Sequence, residues 1–471
     1  MRDMDERTKE LAQGNIPRLL ARLSIPAVIG MFIEAIYNVV DRMFVGRAQV
    51  GMAGPEGLAG LTICFPLMTL IMGFTLMVGA GGGARISLAL GRGDRDTAEN
   101  LVTTGFFLSI IIGLVIMVIG LIFLDPILRL FGADDVILPY AREYMRIILY
   151  GSVFNILTFS MNRYIVAQGR VVFAMLTLMI GCAINFVLDP LFIFVFEWGV
   201  AGAAWATVIA WFATAVWVVS FFVRKKGILS LKIAGARLSW DNVISIASIG
   251  VAPFSMQVVT SLTGIIMNNS LRVYGGAMAI SAMGAIQSVL QLFQMPLYGL
   301  NNGSQPITGF NYGAKNYTRV RETFRLSVTI GTLIGTLGFV LAMCIPHSLI
   351  GIFGSNPEMI SIGARSMRIF LLFFPAIGIL ILGASFFSST GRPQFAMMIM
   401  LGRQTILIFG LLLLPRLFAL DGVFAAGPVA DGAAVSIAAA LILREWKRLK
   451  RIEAENPPPA KVITNDPAAD R

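Results

Sequence analysis

The chain has 471 residues, of which 56% are hydrophobic and only 13% are charged. A soluble domain carries about 25% charged residues, so this composition and the mean hydropathy of +0.79 exclude an ordinary water-soluble protein. The net charge of +11 would suit nucleic-acid binding, but lysine and arginine cluster in short loops between apolar runs. The expected partner is therefore a lipid bilayer and not nucleic acid.

Twelve apolar runs of spanning length follow one another along the chain. They lie at about 16–45, 58–90, 100–124, 137–163, 171–196, 199–223, 242–272, 277–310, 325–346, 359–389, 394–418 and 422–444. This pattern predicts an all-α integral membrane protein with twelve transmembrane helices.

Positive charge alternates between the connections that join these runs. Both chain ends and the connections after even-numbered runs are rich in lysine and arginine, and the connection between runs 6 and 7 is the richest. The other connections carry fewer cations and several acids, such as Glu56, Asp134 and Glu358. The positive-inside rule then predicts a multi-pass protein of the bacterial inner membrane with both termini in the cytoplasm.

The sequence repeats itself at a nearly constant offset of 222 residues. The repeated elements are Phe131-Gly132 with Phe353-Gly354, Met145-Arg146-Ile147 with Met367-Arg368-Ile369, and Gly169-Arg170 with Gly391-Arg392. Gly93, at the end of the second run, is paired with Gly313 at an offset of 220. Each half holds an even number of helices, so the pattern predicts a parallel repeat of two six-helix lobes.

The repeat also predicts how the chain is divided. Residues 1–15 form a cytoplasmic N-terminal segment, 16–223 the N-lobe, 224–240 a cytoplasmic linker, 241–446 the C-lobe and 447–471 a cytoplasmic tail. The tail is polar and Pro-rich after Glu453 and is predicted to be disordered.

Ionisable residues inside a membrane are costly and mark candidate functional sites. The first half places Glu34, Asp41 and Asp189 at depth. Glu34, Asn38 and Asp41 are spaced i, i+4 and i+7, and Asn185 precedes Asp189 by four residues, so each set shares one helix face. Two carboxylates that converge in a bundle either share a proton or bind a hard monovalent cation through oxygen atoms.

Neighbouring residues complete this candidate site and leave alternatives open. Pro190 follows Asp189 and removes a backbone donor, and Thr207 in the sixth helix adds a hydroxyl oxygen. Asp41 has Arg42 beside it, so an interfacial ion pair is the alternative interpretation. Glu34 in turn is open to pairing or snorkelling toward the interface.

The second half has no carboxylate in the cores of helices 7 to 11. If Pro26 is aligned with Pro253, Asp41 corresponds to Asn268. The one deep acid is Asp431, for which we expect a structural pair with Arg403; the alternative is that these two residues are additional members of the transport site. Coupling chemistry is therefore expected in the first lobe alone.

Four segments resemble the multidrug and toxic compound extrusion (MATE) transporters, nearest to their MepA-like bacterial branch. They are LSIPAVIGMFIEAIYNVVDRMFVGR, GAGGGARISLALGRGDRDTAEN, INFVLDPLFIF and QPITGFNYGAKN. The resemblance covers roughly residues 14–450. It implies alternating access between two lobes and exchange of organic cations or other xenobiotics for Na⁺ or H⁺, with no cofactor beyond that ion.

The resemblance also carries residue roles. Asp41, Asn185, Asp189 and Thr207 match the N-lobe cation site of the family, whereas Glu34 stands where an amide is commoner. The acids that some members place in helices 7 and 10 are absent, so no C-lobe Na⁺ site is expected.

Other function classes fit the sequence less well. A flippase for a lipid-linked precursor would carry extra helices and a cationic cavity. A passive channel or receptor is a further alternative, and its activity would not depend on an ion gradient. No Walker motif, Cys/His cluster or serine triad indicates an enzyme. A monomer is the simplest expectation.

Overall fold

The computed structural model describes residues 13–47, 54–91, 93–224, 227–231 and 239–455. Within these ranges every regular element is a helix, which confirms the predicted all-α fold class. The first twelve residues, much of the predicted linker and the tail from residue 456 onward lie outside the described residues.

Twelve long helices divide equally between two lobes in the described part of the chain. The N-lobe holds α1 (Ile16–Arg47), α2 (Pro55–Gly91), α3 (Arg95–Ile122), α4 (Leu138–Ala167), α5 (Val171–Pro190) and α6 (Gly199–Val223). The C-lobe holds α7 (240–275), α8 (277–313), α9 (Tyr317–Cys344), α10 (Pro357–Phe370 with Ile377–Ser389), α11 (393–418) and α12 (420–455). This layout confirms the predicted count.

Two pairs of C-lobe helices are each separated by one residue. The stretch Trp240–Gly313 breaks at Gly276, and Pro393–Glu455 breaks at Ala419. By length and hydropathy, eight continuous stretches of the described residues qualify as membrane spans, or nine with the bent α10. Dividing two of them at these breaks and adding α4, which carries several charges in its first turns, gives the twelve helices.

The backbone repeats at the offset of 222 residues that the sequence predicts. Four pairs of left-handed residues are related by it: Gly54 with Gly276, Gly93 with Lys315, Gly169 with Gly391, and Glu197 with Ala419. Every one of these pairs lies in a connection between two helices, so both lobes turn at equivalent points. The sequence-based pairing of Gly93 with Gly313 is wrong by two residues, because it matched residue type whereas the conformation is taken by Lys315.

The starts of α3 and α9 are related by the same offset of 222 residues. Asp94 caps α3 by accepting a hydrogen bond from the backbone N–H of Thr97 at 3.0 Å. Asn316 caps α9 in the same way, with Arg319 N at 3.3 Å. An N-cap side chain satisfies a backbone donor that the first helical turn leaves open. The two helices that follow have the same length, 28 residues each.

The two copies of the fourth helix differ. α4 runs unbroken for 30 residues, whereas α10 is interrupted by a 3₁₀ turn at Phe374–Ala376 and bends by 50°. Pro375 lies in that turn, at the position equivalent to Val153 of α4. Proline lacks a backbone N–H and its ring clashes with the preceding turn, which accounts for the break.

The last helix is longer than predicted. α12 continues to Glu455, so residues 447–455, which the sequence analysis assigned to the tail, are helical. Glu453 forms an ion pair with Arg321 and accepts a hydrogen bond from Thr318, both at the start of α9. The segment is also rich in Lys, Arg and Glu, which favour helix, and the ion pair fixes it to the C-lobe.

The lobes meet where α1 packs along α8 and α2 packs along α7. Small residues allow the close approach, as is usual between membrane helices. A Cβ built on Gly299 of α8 would lie 2.5 Å from Val28 Cα, and one on Gly250 of α7 would lie 2.0 Å from Met77 O. These contacts bring the face of α8 up to α1, the helix that carries Asp41.

Candidate cation site in the N-lobe

Three N-lobe helices position the predicted site residues. Asp41 lies in the last turns of α1, Asn185 and Asp189 lie in α5, and Thr207 lies in α6. All four are at most 9% exposed, so none is a surface polar group. The side chains of Glu34 and Asn38 lie outside the described part of the structure.

The backbone changes its hydrogen bonding directly after Asp189. The α-helix α5 ends at Pro190, and Leu191–Val195 form a π-helical turn. Phe196 N then bonds to Leu191 O at 3.0 Å. Pro190 has no N–H to continue the α-helical pattern, and π-turns of this kind are common at functional sites.

Asn185 joins α5 to α6. Its Nδ2 donates a hydrogen bond to Thr207 Oγ1 at 3.1 Å, and that hydroxyl in turn donates to Ala203 O at 3.0 Å. The threonine hydroxyl is thereby fixed in orientation. Asn185 lies on the helix face that also carries Asp189, one turn further along.

Asp41 and Asp189 bring two carboxyl groups into this buried region. They interact electrostatically across the α1–α5 contact. Asp41 Oδ1 is buried and accepts no hydrogen bond from the described residues. Two buried carboxylates repel each other when both are ionised, so the region favours a proton or a bound cation, and Asp41 Oδ1 is a free oxygen ligand for either.

Two further residues interact electrostatically with the carboxylates, and Tyr144 is the one that the sequence analysis missed. Tyr144 of α4 is 5% exposed and interacts electrostatically with both Asp41 and Asp189. For Arg42, the sequence suggested an ion pair with Asp41. In the structure its guanidinium donates hydrogen bonds to α8 of the C-lobe. No spacing rule connects Tyr144 with either carboxylate, since the three residues lie on three different helices.

The C-lobe contains a polar cluster of another kind. Arg403 Nε donates to Asp431 Oδ1 at 2.5 Å, which is the pairing expected from the sequence. Thr263 Oγ1 donates to Gln404 Oε1 at 3.1 Å, and Gln404 Nε2 donates to Thr260 Oγ1 at 3.4 Å. The cluster therefore pairs its charges and links α7 to α11.

Asn268 is the residue that the sequence alignment paired with Asp41. Its Nδ2 donates to Thr62 O at 3.4 Å, across the contact between α7 and α2. This amide joins the two lobes and does not face a second carboxylate site among the described residues.

A family model described as MatE matches residues 26–191 and residues 253–414, one stretch in each lobe. The chain belongs to the MATE family. This membership establishes a multi-pass membrane protein of a multidrug efflux transporter family, and it confirms the resemblance that the sequence segments carried.

Curated relatives and solved structures agree with this assignment to the MATE family. The chain is 26% identical over 419 residues to the multidrug export protein MepA of Staphylococcus haemolyticus (strain JCSC1435), covering 89% of this chain and 91% of the relative. MepA of Staphylococcus aureus (strain MSSA476) is 24% identical, with 89% and 92% covered.

Among solved structures, the chain is similar to the MATE multidrug transporter DinF-BH, which was solved as a complex. The two are 36% identical with a TM-score of 0.72, and the match covers 91% of this chain and 95% of that chain. An inward-facing MATE family transporter of the MOP superfamily has a TM-score of 0.83 at 22% identity, covering 92% of this chain and 99% of that chain. The latter similarity supports the MATE fold and no more.

Proposed function

We propose that this protein is a secondary multidrug antiporter that expels organic cations in exchange for Na⁺ or H⁺ by alternating access. The observation that carries the proposal is the electrostatic interaction of two buried N-lobe carboxyl groups, Asp41 and Asp189, together with the hydrogen bond between Asn185 and Thr207. The name of the MepA relatives, multidrug export protein, supports the class of substrate.

The coupling follows from the cost of buried charge. With both carboxylates ionised, the region attracts either a small cation or an organic one; with an ion bound, that attraction is reduced. Ion and drug are then bound alternately, which is the requirement for antiport. Glu34, on the same helix as Asp41, is an additional candidate for negative charge in this region.

No resident cofactor and no enzymatic step are needed in this scheme. The energy comes from an ion gradient, and the chemistry is limited to the binding and release of a proton or Na⁺ by oxygen ligands. We place the protein in the bacterial inner membrane as a monomer with both termini in the cytoplasm. The sign of charge in the helix connections supports this topology.

The test is efflux of a fluorescent organic cation from proteoliposomes under separately imposed Na⁺ and pH gradients. Wild type, Asp41→Asn and Asp189→Asn are compared with Asp125→Asn, whose carboxylate forms an exposed ion pair with Arg142. We expect one of the gradients to drive efflux in wild type and Asp125→Asn, and both site variants to lose it.

Efflux of wild type that ignores both gradients would overturn antiport and favour the passive channel or the lipid-precursor flippase. Gradient-driven efflux that survives in both site variants would keep antiport but remove the N-lobe carboxylates as its site. The ion whose gradient drives efflux is identified in the same assay.

A further inference from the structure

Arg42 crosses the boundary between the lobes. Although it belongs to α1 of the N-lobe, its Nη1 donates to Gly284 O at 3.1 Å and to Ser288 Oγ at 3.4 Å, both on α8 of the C-lobe. The Ser288 hydroxyl itself donates to Gly284 O at 2.9 Å. The guanidinium also lies over the ring of Phe65 on α2, 5.9 Å from its centroid.

The same side chain belongs to the electrical environment of the proposed ion site. Arg42 interacts electrostatically with Asp41, its neighbour in the chain, and with Tyr144. Tyr144 in turn interacts with Asp189 and Cys64, so the titratable groups linked to the arginine directly or through Tyr144 come from α1, α2, α4 and α5. Arg42 is therefore hydrogen-bonded to the opposite lobe while it interacts electrostatically with Asp41 of the ion site.

Resting on the proposed antiport, we propose that Arg42 is the positioning residue through which the charge of the Asp41–Asp189 site controls closure of the lobes at the outer end of α1. In the topology given above, that end faces the cell exterior. The ionised carboxylates of the ion site and the α8 acceptors compete for one guanidinium.

The direction of the effect follows from that competition. A bound proton or Na⁺ neutralises a carboxylate, so Arg42 is free to hold Gly284 O and Ser288, and the outer side stays closed. When the ion leaves, the two ionised carboxylates attract the guanidinium, its bonds to α8 weaken and the outer side opens. Closure of the outer side with the ion bound is the half of the antiport cycle in which the ion is carried inward.

The chain supplies a matched control in Arg85. Arg85 lies near the C-terminal end of α2. Its Nε donates to Ser245 O at 3.2 Å and its Nη2 donates to Ser248 Oγ at 3.1 Å, both on α7. It thus makes the same kind of bond between the same two lobes, a carbonyl plus a serine hydroxyl. It differs from Arg42 in having no carboxylate of the ion site beside it in the sequence.

The experiment measures the distance between spin labels on the outer loops of the two lobes. Val136 and Ser355 are exposed and lie in the loops before α4 and α10, so each is replaced by cysteine and labelled. Cys182 and Cys344 are replaced by serine, while Cys64 stays in place because it is fully buried. Pulsed-EPR distances are recorded in the full-length protein with and without the coupling ion.

We expect the ion to change the ratio of short to long distances about 5- to 150-fold in wild type, the usual size of an allosteric coupling. Arg42→Gln is expected to lose this ion dependence while Arg85→Gln keeps it. Arg42→Lys retains the charge but not the forked geometry, so it keeps part of the effect. Ser288→Ala removes an acceptor on α8 and shifts the distribution toward the long distance in the presence of the ion.

Two results separate this inference from the proposed function. If wild type shows gradient-driven efflux and Arg42→Gln and Ser288→Ala respond to the ion as wild type does, the role of Arg42 is overturned and antiport stands. If wild type shows neither gradient-driven efflux nor an ion-dependent distance, antiport fails and the inference fails with it. If Arg42→Gln does not fold, the comparison of Arg42→Lys and Ser288→Ala with Arg85→Gln decides.

Discussion

The side chain of Asn185 is held by Thr207, whose Oγ1 accepts from Asn185 Nδ2 at 3.1 Å. We expect Thr207→Val to remove this hydrogen bond and to weaken binding of the coupling ion about fivefold, since one hydrogen bond contributes about 1 kcal/mol. Thr207→Ser keeps the hydroxyl and is expected to behave as wild type. The measurement is the ion concentration that gives half-maximal efflux, and equal values for the valine and serine variants would contradict the prediction.

The Arg403–Asp431 pair is expected to stabilise the C-lobe without taking part in ion coupling. Arg403→Leu alone leaves a poorly exposed carboxylate uncompensated, which costs about 3–5 kcal/mol of unfolding free energy for a buried pair. The double variant Arg403→Leu with Asp431→Leu removes both charges and is expected to recover most of that loss. Thermal unfolding in detergent measures the stability, and efflux is assayed in parallel. A single variant that is as stable as wild type but transports nothing would assign the pair to transport.

Close packing at the α2–α7 contact predicts a severe effect for one glycine and a mild one for another. Gly250→Ala would place a Cβ 2.0 Å from Met77 O, so the helices must move apart, at a typical cost of about 1–3 kcal/mol. Gly30→Ala in α1 meets nothing within 4 Å, so it is expected to be neutral or slightly stabilising because alanine favours helix. Thermal unfolding of the two variants tests this, and equal stability would show that the lobes yield more easily than the geometry indicates.

The turn before α9 predicts a stabilising substitution. Lys315 has a φ of 58°, where a side chain is unfavourable, and it stands where the first lobe has Gly93. Lys315→Gly is expected to raise the unfolding free energy by about 1 kcal/mol, since the left-handed conformation costs roughly that much in residues with a Cβ. As the opposite control, Gly391→Ala introduces a Cβ at a φ of 75° with open space around it, so its destabilisation reports backbone strain alone. A Lys315→Gly variant less stable than wild type would refute the argument.

Much of the fold could be predicted from the sequence because each helix is marked by a long apolar run and each turn by charge or glycine. The start of α5 at Val171 and the end of α6 at Val223 lie at the predicted residues, since bilayer thickness limits the length of a span. The end of α12 was missed because hydropathy stops at the membrane surface, whereas the helix continues through an ion pair between Arg321 and Glu453.

The candidate site could be predicted only in part. Spacing on a single helix placed Asn185 and Asp189 on one face, and the depth of Asp41 marked it as costly. Tyr144 and the α8 acceptors of Arg42 follow from how helices from different parts of the chain pack together, which the pattern of one sequence does not encode. Lys315 was missed for a related reason, because its left-handed φ belongs to a turn inherited from the repeat and not to its residue type.

Because α10 is interrupted at Pro375, we expect the two lobes to differ in stiffness. The uninterrupted α4 is expected to transmit a displacement along its whole length, while its copy contains a break at which the two arms can tilt separately. We therefore expect deformation during transport to concentrate in the second lobe. An ion that requires a fixed arrangement of oxygen atoms is best bound in the stiffer N-lobe, which contains Asp41 and Asp189.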